Sequence, residues 1–153
     1  MRYTCIDGFS GAGGLSLGFT RAGFEVVYSF DNDPISIKTQ EQNKRFFRKN
    51  HKAEVADIKK IDGKTLSKKV GIKRGELFLL AGGPPCQGFS VQRIGANIDT
   101  RNDLVLSYGR LIEEVYPKFF LLENSSYRDW ETDRKSTRLN SSHEIPSRMP
   151  SSA

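Results

Sequence analysis

The chain of 153 residues is long enough for one domain with a sizeable core, and its 37% hydrophobic content is ordinary for a soluble protein. It holds no apolar run of the roughly 18 residues a membrane span requires, and Met1-Arg2-Tyr3-Thr4-Cys5-Ile6 enters a strand pattern with no apolar signal core, so a cytoplasmic protein is expected. The formal net charge of +6 fits a polyanionic partner such as nucleic acid, although Glu41, Glu54, Asp57 and Asp62 interrupt the basic stretches and solvated helix faces are the simpler account. Cys5 and Cys86 make neither a disulfide framework nor a zinc site, and His51 and His143 show no metal-ligand spacing, so no metal is expected.

Tyr3 to Asp7 has a short strand pattern. Gly8-Phe9-Ser10-Gly11-Ala12-Gly13-Gly14 follows, and Leu15-Ser16-Leu17-Gly18-Phe19 opens a helix. A glycine-rich turn between strand and helix lets backbone approach a ligand closely and aims free N–H groups and the positive end of the helix dipole at it, an arrangement suited to nucleotide-type cofactors. The dinucleotide pattern G-x-G-x-x-G is broken, because counting from Gly11 and Gly13 its last position is Ser16. Glu25 to Phe30 is a second strand ending at Asp31-Asn32-Asp33, where Asp31 is placed to accept from ribose hydroxyls. Pro34 starts a helix with Asp33 as its N-cap, and the apolar pattern continues through Ile35, Ile37, Phe46 and Phe47. Val55-Ala56-Asp57-Ile58 has the look of a third strand, with Asp57 either a contact for an adenine amino group or a turn residue.

Leu77-Phe78-Leu79-Leu80-Ala81 predicts a buried strand, followed by Gly82-Gly83-Pro84-Pro85-Cys86-Gln87-Gly88-Phe89-Ser90. Two prolines stiffen this loop and put Cys86 where a parallel sheet binds ligands, beyond a strand's carboxyl end. Cys86 is either a nucleophile or a small buried hydrophobe. Val91 to Thr100 lacks periodicity and suggests a connection able to close over a ligand. Leu104, Leu106, Tyr108, Leu111, Ile112 and Val115 recur at helical spacing up to Pro117, and Lys118 to Leu122 predicts another buried strand ending in Glu123-Asn124. Alternating strands and helices over residues 3 to 124 predict a parallel sheet with right-handed crossovers.

With these residues placed, the chain resembles the cytosine-C5 DNA methyltransferases. Asp7-x-Phe9-x-Gly11-x-Gly13-Gly14 is similar to the family's cofactor loop, Gly83-Pro84-Pro85-Cys86-Gln87-Gly88-Phe89-Ser90 to its catalytic loop, and Glu123-Asn124 to its catalytic acid motif. Asp99-Thr100-Arg101-Asn102-Asp103-Leu104 is similar to a further element whose leucine lies against the cofactor, and order and spacing agree across residues 1 to about 125. The resemblance implies an α/β, Rossmann-like, doubly wound S-adenosylmethionine-dependent methyltransferase fold, truncated after about the fifth strand. It implies S-adenosyl-L-methionine as cofactor, held by Phe9, Gly11, Gly13, Gly14, Asp31, Asp57, Ile58, Pro84 and Leu104. Asn32 stands where relatives carry an aromatic or apolar residue after the ribose acid, which weakens adenine stacking. Cys86 and Glu123 become the catalytic pair, and Gln87, Ser90, Arg101 and Asn124 candidate contacts to the substrate.

The implied partner is double-stranded DNA, with no membrane, a cognate restriction endonuclease of the same system as a candidate partner, and a monomer that is cytoplasmic and, in a prokaryote, nucleoid-associated. After Asn124 the pattern departs from the family: Ser125 replaces a valine, and residues 126–153 are rich in Ser, Arg, Asn and Pro without apolar periodicity. Asp133 to His143 resembles translated adapter or cloning sequence, so a partial catalytic domain over 1–125 is expected, with a disordered tail, no target recognition domain and little or no turnover. The alternatives are a tRNA cytosine-C5 methyltransferase and a non-catalytic cofactor-binding remnant.

Overall fold

The computed structural model describes residues 3–85 and 102–123. Within them lie five strands, β1 (Thr4–Gly8), β2 (Glu25–Asp31), β3 (Lys52–Val55), β4 (Leu79–Gly82) and β5 (Phe119–Leu122). Four helices accompany them, α1 (Gly14–Arg21), α2 (Pro34–Gln42), α3 (Gly63–Val70) and α4 (Asn102–Val115), with a 3₁₀ turn at Lys44–Phe46. All pairings are parallel and the strand order is β3-β2-β1-β4-β5, so the chain runs outward from β1 to one edge and then returns to build the other. The order reverses between β1 and β4, and such a switch point opens a crevice at the carboxyl ends of the strands.

The period-two alternation of β1 decides the layering. Ile6 joins Tyr28, Phe30, Leu66, Leu80, Tyr108, Leu111 and Val115 in the larger cluster, under α3 and α4. Cys5 points the other way with Val26, Leu79 and Ala81, and α1 covers that face with Leu15 and Phe19. Helix ends follow local chemistry. Asp33 caps α2, its carboxylate accepting from the Ile35 and Ser36 N–H groups at 3.1 and 3.0 Å, and the Ser36 hydroxyl at 2.6 Å together with these N–H groups holds its pKa below the usual carboxylate range. Asp62 caps α3 through the Thr65 N–H at 2.8 Å, and Gly71, at φ 71°, ends it.

Three expectations are corrected. The third strand is Lys52–Val55, so Ala56, Asp57 and Ile58 follow it as a loop. Ile58 is nonetheless 3% exposed, and its burial produced the strand-like pattern. Helix α2 stops at Gln42 instead of continuing to Phe47, because the chain tightens into the 3₁₀ turn after Asn43. The last strand is not buried: Phe119 and Phe120 are 59% and 61% exposed, because β5 lies at the sheet's edge with both faces uncovered among the described residues. No helix among the described residues is long and apolar enough to cross a membrane.

This layering sets a ranking of substitutions. Leu80→Ala, in the fully buried cluster, should lower unfolding free energy in urea by about 2 to 5 kcal/mol. Phe120→Ser on the open strand should change it by less than about 1 kcal/mol. The opposite ranking would mean that β5 is covered in solution.

Candidate active site

At the carboxyl ends of β1, β2 and β4 lies a cavity of about 260 Å³, lined by Phe9, Phe30, Asp31, Asn32, Ala56, Asp57, Ile58, Gly83, Pro85 and Leu104. Pockets for whole drug-sized ligands run to roughly 300–1,000 Å³, so these residues enclose one end of a nucleoside-sized ligand. Among the described residues, the walls hold two carboxylates and no Lys or Arg. Phe9 enters from the turn after β1 with φ 57°, a left-handed conformation that a bulky residue adopts only when its surroundings enforce it.

Both oxygens of the Asp31 carboxylate are oriented by backbone donors, Oδ2 by the Gly11 N–H and Oδ1 by the Asp33 N–H, each at 2.8 Å. Each oxygen keeps a further lone pair for a ligand hydroxyl. Asp57 closes a turn, accepting the Lys59 N–H at 3.0 Å, and also lines the cavity. Ile58 and Leu104 form the apolar wall, and two pairs tie the segments that carry them. Lys59 meets Asp103 at 3.4 Å, and Arg110 donates to the carbonyls of Ile58 at 2.9 Å and Ile61 at 2.8 Å while pairing with Glu114. Arg110 escaped the sequence reading because a cation on a helix surface carries no local signal of the loop it grips.

The tip of β4 is packed at the limit of approach. A Cβ on Gly82 would fall 2.6 Å from the Tyr108 ring, whose hydroxyl reaches the carbonyls of Leu80 and Leu121, both at 2.9 Å. A Cβ on Gly83 would lie 3.1 Å from Glu123 Oε2. The Glu123 carboxylate therefore stands beside Gly83, which lines the cavity. Gly13 is buried and Gly14 exposed at the start of α1, and neither lines the cavity; nor does Gly11, which acts through Asp31. Pro84 is buried, and its neighbour Pro85 supplies the wall instead. Cys86, Gln87, Ser90, Arg101 and Asn124 lie outside the described residues. The other thiol, Cys5, is fully buried with its pKa pushed up by that burial, which suits a packing role and not a nucleophile.

Beneath the glycine-rich turn, Asp7 is 1% exposed. Its Oδ2 accepts from Ser16 Oγ at 2.5 Å and its Oδ1 has no hydrogen-bond partner. Ser16, which breaks the dinucleotide pattern, thus anchors the first turn of α1 to β1.

An open parallel sheet with a glycine-rich turn after β1, an acid at the tip of β2 and an apolar slot beyond β3 defines a Rossmann-like methyltransferase fold. Residues 3–129 match the family model for C-5 cytosine-specific DNA methylase, and the chain belongs to that family. It is 38% identical over 122 residues to the Type II methyltransferase M.AgeI of Thalassovita gelatinovora, covering 78% of this chain and 27% of that protein. To M.XorII of Xanthomonas oryzae pv. oryzae it is 42% identical over 120 residues, with the same two coverages. The chain thus spans about a quarter of the length of these relatives. Among solved structures, an E. coli prophage-encoded protein described as a DNA modification methyltransferase superposes with a TM-score of 0.63 at 32% identity, over 90% of this chain and 36% of that one. The PH0226 protein of Pyrococcus horikoshii shares the fold alone, with a TM-score of 0.53 at 16% identity over 92% of this chain and 54% of its own.

Burial pushes the Asp7 carboxyl up to about 6; the hydrogen bonds from Ser16 act the other way, and the Asp31 charge adds to the rise. An unfolded chain releases this proton near pH 4, so between pH 4 and 6 the native state holds a proton that the unfolded state lacks, and stability falls as pH rises through that window. In Asp7→Asn the decline in unfolding free energy between pH 4 and 6.5 should be smaller than in the parent chain by about 2 to 3 kcal/mol. Identical pH profiles would mean that Asp7 is ionised throughout.

Proposed function

We propose that this chain carries the cofactor-binding and catalytic loops of a DNA (cytosine-5-)-methyltransferase, which moves the methyl group of S-adenosyl-L-methionine to C5 of a flipped-out cytosine. The observation that carries the reading is Gly83, with the Glu123 carboxylate on one side and, on the other, the cavity that encloses one end of a nucleoside-sized ligand. The cavity walls suit this cofactor. Asp31 is set to accept from a ribose diol, Asp57 faces an adenine amino group, and Phe9, Ile58 and Leu104 offer apolar contact. Among the described residues, two carboxylates without a cation favour a positively charged ligand over a pyrophosphate, which argues against a dinucleotide.

When bound, S-adenosyl-L-methionine supplies an electrophilic methyl group on a sulfonium, which the poorly nucleophilic C5 of cytosine cannot attack unaided. The Cys86 thiolate forms a bond to C6 and turns the ring into an enamine nucleophilic at C5. Glu123 hydrogen-bonds N3 and the exocyclic amine, stabilising the protonated ring as the thiolate adds. Loss of the C5 proton and breakage of the C6–S bond return Cys86. Phe9 and Gly11 face the methionine end, with Gly13, Gly14 and Pro84 shaping the loops around it. Gln87, Ser90, Arg101 and Asn124 contact the extruded base or the DNA backbone.

The names of the relatives, all Type II methyltransferases, favour double-stranded DNA over tRNA and a restriction endonuclease in the same system. The working enzyme is proposed to be a monomer acting at the nucleoid of a prokaryote. Residues 1–125 are proposed as the catalytic portion, and the 153-residue chain alone is expected to bind the cofactor with little or no turnover.

A chimera tests the assignment. Residues 3–123 replace the matching segment of the Xanthomonas relative, and the product is challenged with DNA containing 5-fluorocytosine, whose fluorine blocks the elimination step. A covalent adduct is expected; Cys86→Ser should abolish it, and Glu123→Gln should slow methylation of ordinary DNA by roughly 10²- to 10⁴-fold. A chimera that binds the cofactor yet forms no adduct would overturn the enzymatic reading.

A further inference from the structure

Gln40 lies on the inner side of α2, 1% exposed, and is absent from the cavity wall. Its amide is nevertheless fully engaged. Nε2 donates to Ser10 Oγ at 2.8 Å and to the Gly11 carbonyl at 2.7 Å, and Oε1 accepts from Ser29 Oγ at 2.8 Å. The Gly11 carbonyl can only accept, so the amide has one permitted orientation. Ser10 passes its own proton to the Phe30 carbonyl at 3.2 Å. Ser29 has one proton and gives it to Gln40, so His51 Nε2, 2.9 Å from Ser29 Oγ, must be the donor there. Every link has a fixed direction, and the chain runs from His51 through Ser29 and Gln40 to the glycine-rich turn.

Gly11 is gripped on both of its sides. Its carbonyl is held by Gln40, and its N–H, 2.8 Å from Asp31 Oδ2, orients the acid. Gly11 has φ 51°, a conformation that glycine adopts without cost but does not by itself enforce. The stem of Gln40 fills the space under the turn, since a Cβ on Gly13 would fall 2.9 Å from its Cγ.

We infer that Gln40 is a positioning residue for ribose recognition: by holding the Gly11 carbonyl it aims the Gly11 N–H, and so fixes the Asp31 carboxylate in the orientation that accepts a vicinal diol. This deepens the cofactor reading above and rests on it. A side chain that never meets the ligand thereby decides how strongly the site distinguishes a ribose from a sugar lacking its hydroxyls.

The test uses the 153-residue chain and isothermal titration calorimetry with two ligands, S-adenosylhomocysteine and its 2′,3′-dideoxy analogue. The parent chain should prefer the diol by roughly 10- to 100-fold, the size of one or two hydrogen bonds to a charged acceptor. Asp31→Asn should compress that ratio. Gln40→Met, which keeps the volume and removes the amide, should compress it to below about 3-fold while changing affinity for the dideoxy compound by less than about 3-fold. A residue that merely supported the fold would weaken both ligands equally and leave the ratio intact, and that result would overturn the inference. Ser29→Ala, which frees only the far end of the amide, provides a second, milder variant. It should give an intermediate ratio, and should Gln40→Met not fold, an unchanged ratio in Ser29→Ala overturns the inference instead. A parent chain that bound neither ligand would instead overturn the cofactor reading, and this inference with it. As an independent readout on the unliganded chain, Gly11 amide hydrogen exchange should accelerate at least tenfold in Gln40→Met while the β1 amides keep their protection.

Discussion

Where β4 leaves the sheet, Gly82 lies so close under Tyr108 that a methyl group there would sit 2.6 Å from the ring, and one on Gly83 would sit 3.1 Å from Glu123 Oε2. Two side chains from different elements, α4 and the end of β5, meet one strand tip that has no side chains of its own. The Tyr108 hydroxyl then reaches carbonyls on both β4 and β5, so the position of Glu123 is tied to that of the β4 tip. Because Gly83 also lines the cavity, anything that displaced it would disturb the acid and the cofactor slot together. The pairing of a small residue with a large neighbour is the ordinary logic of dense packing, applied at the point where the chain must leave room for a ligand.

The charge distribution follows from the same construction. The chain carries a formal +6, yet Asp7, Asp31, Asp57 and Glu123 all stand at or just beyond strand ends on one side of the sheet. Asp31 is near enough for its charge to raise the pKa of Asp7, and no cation among the described residues lines the cavity. Basic residues lie elsewhere, as in the segment from Lys44 to Lys52. A site acidic within a basic molecule would separate a cationic small ligand from a polyanionic large one, as the proposed reaction between a sulfonium and DNA requires.

The parts of the site that the sequence made legible are those where one residue does one local thing. Asp33 before Pro34 is a cap with a recognisable neighbour, and Asp31 follows an apolar run that stops. The parts it concealed depend on partners far along the chain. Ala56 to Ile58 looked like a strand because burial and pairing both select apolar residues, and only the sheet register separates them. Phe119 to Leu122 looked buried because an apolar run says what a strand is suited to, not what lies over it. Gln40 and Arg110 look like surface residues of amphipathic helices, and their roles rest on carbonyls 29 to 52 positions away in sequence.

The two halves of the site also differ in how firmly they are supported. The cofactor half grows from β1 and β2, strands whose side chains are buried against helices on both sides and whose loops are cross-linked by Asp31, Ser16 and Gln40. The acid half ends β5, which among the described residues pairs only with β4 and leaves Phe119 to Leu122 exposed. A parallel strand gains most of its stability from cover on both faces, so local opening should be easiest here, and Glu123 depends on the Tyr108 hydroxyl and on its own N–H bonded to the Gly82 carbonyl at 2.8 Å. The proposed adenosyl site draws mainly on the well-supported half, and Gly83, Pro85 and Leu104 complete its wall from the β4 tip and α4. The proposed chemistry on a base requires both halves to hold their geometry at once, so loosening β5 should disturb the acid first and reach the cofactor slot only through Gly83.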